Sequence, residues 1–287
     1  MPQTINTNLV SLNAQRNLST SQTSLATAMQ RLSSGLRVNS AKDDAAGLAI
    51  AERMNTQMRG MNVAMRNAND GISMAQVGEG ALGKVSDMLQ RMRELAVQAA
   101  NGTNTPTDRN SLNDEFLALA REAQRTLGGT QFNGQNILAT TLTSMFQVGA
   151  NTSATLDQIT VSAFDWTQSA TITTAVGAAV GTDPTTVIAG TDGSFALAAI
   201  AGIDQAIDAI NAQRAAFGAV QNRFENVIAN LMVAAENQSA ARSRIMDADY
   251  AAETAALSRA QILQQAGNAM VAQANQLPQL VLKLLQG

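Results

Sequence analysis

Apolar residues recur at alternating spacings of three and four over most of this chain. Near the N-terminus, Leu18, Leu25 and Leu32 stand seven residues apart. A repeat of about 3.5 residues places a narrow apolar stripe along one side of a helix, which is typical of a coiled-coil seam. Near the C-terminus the seam positions are Leu263, Met270, Leu277, Leu280 and Leu284. We therefore predict a mainly α-helical fold whose N- and C-terminal helices together form a coiled coil.

The helical pattern covers two long parts of the chain, residues 1 to about 130 and about 194 to 287. Within the first part, a continuous helix over about 43–100 would be roughly 85 Å long at about 1.5 Å per residue. Its apolar stripe shifts phase in a stretch that contains three glycines. These are Gly78, Gly80 and Gly83. A shift of this kind is expected to loosen a coiled coil locally.

The middle of the chain has a different composition. Residues from about 131 to 193 are rich in Thr, Val, Gly and Ser, and no Lys, Arg or Glu occurs between Arg125 and Arg214. This is typical of short strands and turns, and the Asn133-Gly134 pair predicts a tight hairpin turn. Because both flanks share the same helical sequence pattern, we expect them to pack together as an elongated helical bundle with β-hairpins. We expect this bundle to carry a small β-rich insert at its tip.

Two helix starts are marked by residues that favour helix N-termini. Ser40 and Asp43 have the spacing of a capping box before the run AAGLAIAERM. Thr105, Pro106 and Asp108 supply an N-cap, a proline at the first helical position and a carboxylate near the positive end of the helix. We predict that a helix begins after each of these groups.

The sequence contains no histidine and no cysteine. This excludes disulfide bonds, Cys/His zinc sites, thiol nucleophiles and every triad that uses histidine. The paired carboxylates Asp43-Asp44 and Asp247/Asp249 are more typical of helix caps and ion pairs than of a metal or acid–base site. We therefore expect no catalytic residue, no metal and no cofactor.

Charge and hydropathy limit the possible partners. A net charge of -3 provides no general attraction to nucleic acid. No uninterrupted apolar run approaches the roughly 18 residues that span a bilayer, so we expect no membrane insertion. The N-terminal sequence MPQTINTNLV lacks the basic and apolar regions of a cleaved signal peptide, so we expect any export to follow another route.

Both ends of the chain are poor in charge. Residues 1–42 contain no acid, and nothing between Arg259 and Lys283 is charged. A polar helix face made of amides and hydroxyls can be covered by another chain at little desolvation cost. We expect these ends to be poorly ordered alone and helical when packed against copies of the chain. The expected assembly residues are Leu18, Leu25, Leu32, Leu263, Met270, Leu277 and Leu280.

Several long motifs resemble one family. In the N-terminal half they are SAKDDAAGLAIAERM at 40–54, LQRMRELAVQAANGTN at 89–104, TQFNGQNIL at 130–138 and FQVGAN at 146–151. In the C-terminal half they are RAAFGAVQNRFENVIANL at 214–231 and the run from RIMDADY to VLKLL at 244–285. In this order they resemble bacterial flagellin, and the resemblance covers about four-fifths of the chain.

The resemblance implies a domain organisation. Residues 1–42 and 247–287 would form an inner coiled-coil domain. Residues 43–150 and 194–246 would form a helical core domain with β-hairpins, and residues 151–193 a short variable insert. The resemblance also implies a subunit that the flagellar type III apparatus exports unfolded and that polymerises outside the cell into a helical filament for swimming. The implied partners are other copies, an export chaperone, the filament cap and the hook–filament junction protein.

The resemblance further implies a contact with Toll-like receptor 5 of a vertebrate host. The matching residues are Gln90, Arg91, Glu94 and Leu95, with Glu115 on the next helix. Without the resemblance, Arg91 and Glu94 are typical of ordinary solvated helix charges that pair at a spacing of three.

Three classes of function remain open at this point. The first is a filament subunit, and the second is a hook–filament junction protein or another coiled-coil scaffold. The third is a carboxylate-dependent hydrolase in the middle segment, where residues 139–200 offer four Asp but no Glu and no basic residue. The terminal motifs favour the first.

Overall fold

The computed structural model describes most of the chain and resolves it into two compact units. The described residues are 7–141, 143–162, 165–166, 168–177, 183–184 and 187–285, with side chains described as far as residue 276. The terminal unit consists of Met1–Gln57 and Glu236–Gly287, and the central unit consists of Met58–Ala235. The domain bounds that the resemblance implies stay a prediction.

The fold is mainly α-helical, as predicted. The helices are α1 (Leu9–Ser34), α2 (Ala45–Ala99), α3 (Pro106–Gly129), α4 (Ala170–Val176), α5 (Ser194–Met246) and α6 (Tyr250–Leu285). The strands are β1 (Gln131–Phe132), β2 (Gln135–Asn136), β3 (Ser144–Gln147) and β4 (Gln158–Val161), and they form two antiparallel hairpins, β1–β2 and β3–β4. Helices α2 and α5 contribute residues to both units.

The core of the central unit is formed by one face each of α2, α3 and α5. Leu89 and Met92 on α2, Phe116 on α3, and Ile203 and Ile210 on α5 have no exposed surface. Burying a side chain of this size contributes about 1.5–3 kcal/mol. The apolar stripes read from the sequence are therefore the faces that pack this unit.

Two glycines of α2 make room for two aromatic rings of α5. A Cβ atom at Gly71 would lie 2.6 Å from Cζ of Phe224, and one at Gly78 would lie 3.0 Å from Cε2 of Phe217. Phe224 also meets Phe146 of β3 edge to face, with ring centroids 5.5 Å apart. Helix α2 is continuous through this region. Gly71 and Gly78 therefore admit bulky partners without breaking the helix, and the expected local loosening of a coiled coil stays a prediction.

The Asn133-Gly134 turn is present. Asn133 and Gly134 have φ values of 50° and 77°, the left-handed backbone that a tight hairpin turn requires. Phe132 pairs with Gln135 across the turn. The second hairpin, β3–β4, pairs Ser144 with Val161 at its open end.

Both predicted helix starts are correct, but the capping residue of α2 differs from the prediction. The Thr105 hydroxyl and the Asp108 carboxylate form the predicted capping box of α3. At α2, however, the Asp43 carboxylate accepts hydrogen bonds from the Ser40 hydroxyl and backbone within the preceding turn. The cap is Asp44, whose Oδ1 accepts a hydrogen bond of 2.8 Å from the Gly47 backbone. Asp44 rather than Asp43 caps α2, because Asp44 directly precedes the helix and its oxygen reaches the free N–H groups of the first turn.

The part of the insert that follows β4 is held by side chains of α3. The Gln124 amide donates to the Val176 carbonyl, and the Asn113 amide oxygen accepts from the Ile188 backbone N–H. Buried Arg109 donates to the carbonyls of Ala99, Asn101 and Thr191. Arg121 pairs with Asp183 at 2.8 Å. Three of these contacts, those with Val176, Ile188 and Thr191, use backbone atoms of the insert.

The insert contains less strand than the sequence predicts. Among its described residues, it holds β4 and the short helix α4, in place of a β-rich segment. Ile172, Ala175 and Val176 of α4 are buried. Their spacing of three and four lets one helix turn cover α3, and this packing overrides the strand preference of the Thr- and Val-rich sequence.

Helix α5 contains an 18-residue window that could span a membrane by length and composition. The expectation of no membrane insertion, which rested on uninterrupted apolar runs, is not tested by this window and stays a prediction. Ala199, Ile203 and Ala206 of this helix lie in the core of the central unit. Since the core helix of a globular protein meets the same criterion, the window alone assigns no membrane span.

We expect Gly71→Ala to lower the free energy of unfolding by about 1–3 kcal/mol, because the added methyl group overlaps the Phe224 ring. The matched control is Gly83→Ala in the same helix, where no described atom lies within 4 Å of the added methyl group. Helix propensity should make that variant more stable by about 1 kcal/mol. Urea unfolding of both variants measures the difference. Equal effects of the two substitutions on stability would show that Gly71 is not needed to accommodate the Phe224 ring.

Asp108→Asn should lower stability at neutral pH and lose its effect in acid. Hydrogen bonds from the Thr105 hydroxyl and backbone hold the pKa of the Asp108 carboxyl below its usual value. Its stabilising contribution is therefore complete above the unfolded pKa of about 3.9 and is lost as the pH falls through the lower folded pKa. Unfolding of wild type and variant should differ near pH 7 and converge in strong acid. A constant difference across this range would contradict the assignment.

Candidate functional site

Helices α1 and α6 of the terminal unit lie antiparallel and in contact. The Asn8 side-chain amide donates to the Ala274 carbonyl over 2.7 Å, and at the other end Arg31 pairs with Glu253 at 3.3 Å. The Ser11 hydroxyl donates to Asn275 over 2.7 Å. These contacts join segments from opposite ends of the sequence, so both ends are needed to build the pair.

The two helices approach closely where α6 carries a glycine. A Cβ atom at Gly267 would lie 3.1 Å from Cδ1 of Leu18. Beside this contact runs an open groove of about 380 Å³, which we call the α1–α6 groove. It is lined by Val10, Asn13, Ala14, Asn17, Leu18, Ser21, Leu263, Ala266, Gly267, Met270, Gln273 and Ala274. Charged residues do not occur in this lining.

The structure brings three of the predicted assembly residues to this groove. Leu18, Leu263 and Met270 line it, and Leu263 and Met270 remain 50% and 60% exposed. Leu25 and Leu32 are half-buried elsewhere along α1. The side chains of the remaining two, Leu277 and Leu280, lie outside the described residues.

The predicted pairing of the N- and C-terminal helices is present within one chain, and the expectation that these ends are poorly ordered alone stays a prediction. In a single chain α1 is already the partner of α6. The pair nevertheless leaves large apolar side chains uncovered. Besides the groove residues, Leu9, Leu12, Met29 and Ile262 are at least half exposed. The surface available to other copies is therefore the outside of the pair.

The loop between α1 and α2 binds the junction between α5 and α6 through hydrogen bonds, and we call this contact the clasp. Gly35 adopts a left-handed φ of 70° and ends α1. The Arg37 backbone N–H donates to the Met246 carbonyl, and the Arg37 guanidinium donates to the Ile245 carbonyl over 2.7 Å. Val38, Ala51 and Met246 form a small core beneath this loop. Sequence reasoning did not predict the clasp, because its main acceptors are backbone carbonyls.

The predicted receptor residues lie on α2 and α3 of the central unit. Arg91 is 2.9 Å from Glu94 and 3.0 Å from Glu115, so it joins the two helices. We call these three residues the Arg91 cluster. Hydrogen bonds to Glu94 and Glu115 raise the pKa of the Arg91 guanidinium, and all three side chains are about half exposed or more. Exposed ion pairs of this kind contribute little stability, so the cluster is free to serve recognition.

The other two predicted receptor residues differ from each other. Gln90 is exposed beside the cluster, whereas Leu95 is 1% exposed and belongs to the core of the central unit. From that position Leu95 can only support the helix and cannot touch a partner. A neighbouring ion pair that the sequence did not predict joins Arg93 of α2 to Asp204 of α5 at 2.6 Å.

The paired carboxylates have structural partners. Asp249 accepts hydrogen bonds from the backbones of Ala251 and Ala252 at the start of α6, and Asp247 accepts one from the Ser243 hydroxyl. In the part of the chain that the structure describes, no group of three or more acidic side chains is placed to hold a metal ion. The arrangement offers packing surfaces and exposed ion pairs.

These features define a mainly α-helical protein whose paired terminal helices carry an open apolar groove. Family models for the bacterial flagellin N-terminal and C-terminal helical regions match residues 5–143 and 200–285. A flagellin of Halalkalibacterium halodurans is 48% identical over 98% of this chain and 99% of its own length. The chain belongs to the bacterial flagellin family.

Other relatives agree over the same length. A flagellin of Bacillus subtilis is 41% identical, and the flagellar filament 33 kDa core protein of Treponema phagedenis is 42% identical. Each alignment covers 98% of this chain and 99% of the relative. The crystal structure of Bacillus cereus flagellin is 37% identical, covers 58% of this chain and 88% of that chain, and superposes with a TM-score of 0.49.

Proposed function

We propose that the chain is a structural subunit that polymerises with its own copies into the helical flagellar filament used for swimming. The α1–α6 groove is the observation that carries this proposal. A surface of exposed Leu and Met side chains without charge is costly in water and favourable against another apolar surface, at about 25 cal/mol per Å² covered. Family membership supplies the kind of partner, another copy.

An open filament requires two different complementary surfaces on each subunit. The α1–α6 groove and other exposed apolar residues of the pair, such as Leu12 and Ile262, offer candidates in the terminal unit. We propose the domain organisation given above, with residues 1–42 and 247–287 as inner coiled coil, residues 43–150 and 194–246 as core domain, and residues 151–193 as insert.

The remaining roles follow from family membership. We propose export by the flagellar type III apparatus without a cleaved signal peptide and a location in the extracellular filament. The partners would be an export chaperone, the filament cap and the hook–filament junction protein. We propose no enzymatic activity, because the acids that invited a catalytic interpretation cap helices or bind neighbouring hydroxyls.

Leu263→Asp should block polymerisation without unfolding the subunit. Leu263 is half exposed in the single chain, so water solvates the new carboxylate there. Covering the groove with another copy would bury that charge without a partner, at a cost of about 3 kcal/mol or more. We expect seed elongation, followed by light scattering and electron microscopy, to fall about a hundredfold or more.

The control is Leu197→Asp, a similarly exposed leucine on α5 of the central unit. Both variants should keep the circular dichroism spectrum of wild type. Normal elongation by Leu263→Asp would reject the groove as an assembly surface. A wild-type protein that stops seed growth after one layer would instead indicate a hook–filament junction protein.

A second proposed role is recognition by Toll-like receptor 5. The support is that Arg91, Glu94 and Glu115, which the resemblance selects from two separate sequence segments, form one exposed cluster. A guanidinium with two carboxylate neighbours is a rigid, directional recognition element. Gln90 extends this surface along α2, and Leu95 supports it from the core.

Arg91→Ala should reduce receptor activation by monomeric subunits about tenfold or more, since arginine is prominent among the residues that dominate interfaces. Its loss should change stability little, because the side chain is exposed. Arg121→Ala, which removes an exposed, ion-paired arginine of α3, is the matched control. A cell reporter assay with both variants measures the effect. Equal activity of the two variants would remove the Arg91 cluster from the proposed interface.

A further inference from the structure

We propose that Met270 is an oxidation site at which peroxide converts the thioether to a sulfoxide and thereby prevents the subunit from joining a polymer. This inference rests on the proposed function, because it requires that a second copy covers the α1–α6 groove. It adds a chemical modification and a control of assembly to that function.

Methionine is the chain's only sulfur-containing residue type. The sequence has thirteen methionines and no cysteine, so mild oxidants have no thiol to attack first. Methionines differ widely in access. Met74, Met92 and Met246 are at most 7% exposed, whereas Met29, Met145, Met232 and Met270 are more than half exposed. Peroxide should therefore modify the second group much faster than the first.

Met270 is distinguished from the other exposed methionines by its surroundings. It alone among the described methionines lines the α1–α6 groove, beside Ala266, Gly267 and Ala274 and facing Leu18 of α1. The groove lining contains no charged group, and its polar residues are Asn13, Asn17, Ser21 and Gln273. Met145 lies on β3, and Met232 lies on α5 of the central unit.

The oxidation step is an oxygen transfer from peroxide to the thioether. The sulfur–oxygen bond forms, the oxygen–oxygen bond of peroxide breaks, the sulfur loses two electrons, and peroxide is reduced to water. The sulfoxide is polar and a strong hydrogen-bond acceptor. In the single chain water solvates it, but a second copy would displace that water, and the sulfoxide would then depend on the groove's few polar side chains for a donor. Reduction of the sulfoxide by methionine sulfoxide reductase restores the apolar groove.

The test uses full-length wild-type subunits treated with dilute hydrogen peroxide until each carries less than one sulfoxide on average. Filament seeds are added, the polymer is sedimented, and peptide mass spectrometry compares the sulfoxide fraction at each methionine in the polymer and in the remaining subunits. We expect the Met270 sulfoxide to be depleted from the polymer about tenfold. Sulfoxides of Met145 and Met232 are internal controls and should be depleted much less.

A second measurement compares variants by the ratio of the elongation rate after peroxide to the rate of the same variant before peroxide. This ratio should be higher for Met270→Leu than for wild type, whereas Met232→Leu should give the wild-type ratio. Equal entry of the Met270 sulfoxide and the control sulfoxides into the polymer would overturn the proposal, as would equal ratios for all three proteins. If untreated wild type fails to elongate seeds, the proposed function itself is wrong.

Discussion

The antiparallel contact between α1 and α6 is the constraint on which the terminal unit depends. It joins Arg31 to Glu253, which are 222 residues apart, and Asn8 to Ala274, which are 266 apart. Contacts of such separation carry a large loop-closure entropy and form slowly. The pair therefore cannot form until the last part of the chain is present, and any chain that lacks one end leaves the other helix without its partner.

The same contact leaves apolar side chains of the terminal helices exposed to water. Helices α1 and α6 each cover only part of the other's apolar side chains. Leu18 packs at Gly267, while Leu263 and Met270 remain half exposed beside it. In the central unit, α2, α3 and α5 enclose fully buried side chains such as Leu89, Phe116 and Ile203, while other apolar residues, such as Leu156 and Leu197, are exposed. Both units therefore leave some apolar side chains in contact with water.

Much of the fold could be predicted from the sequence, because it depends on local spacing. The apolar repeats give the helices, Asn133-Gly134 gives the hairpin turn, and Thr105 with Asp108 gives the start of α3. What could not be predicted depends on contacts between distant segments. The glycines Gly71 and Gly78 look like weak points in a helix until the rings of Phe224 and Phe217 are placed against them.

Prediction of the site was limited in the same way. The seam pattern selects Leu18, Leu263 and Met270. It does not predict which side of the helix pair remains exposed, because that depends on the register between α1 and α6. For Leu95, the motif selected a residue that the fold buries. It shares a helix with Arg91, yet its position in the turn directs it into the core. A linear motif specifies a helix segment and not the face that a partner meets.

The way α3 holds the insert has an evolutionary consequence. The insert contributes main-chain groups to these contacts. The Val176 carbonyl accepts from Gln124, the Ile188 N–H donates to Asn113, and the Thr191 carbonyl accepts from Arg109. Nearly every amino acid provides these groups, so these three contacts tolerate exchange of the insert's exposed side chains, whereas buried Ile172, Ala175 and Val176 stay constrained by their packing. The exposed positions of a region attached in this manner are a natural place to graft a foreign peptide.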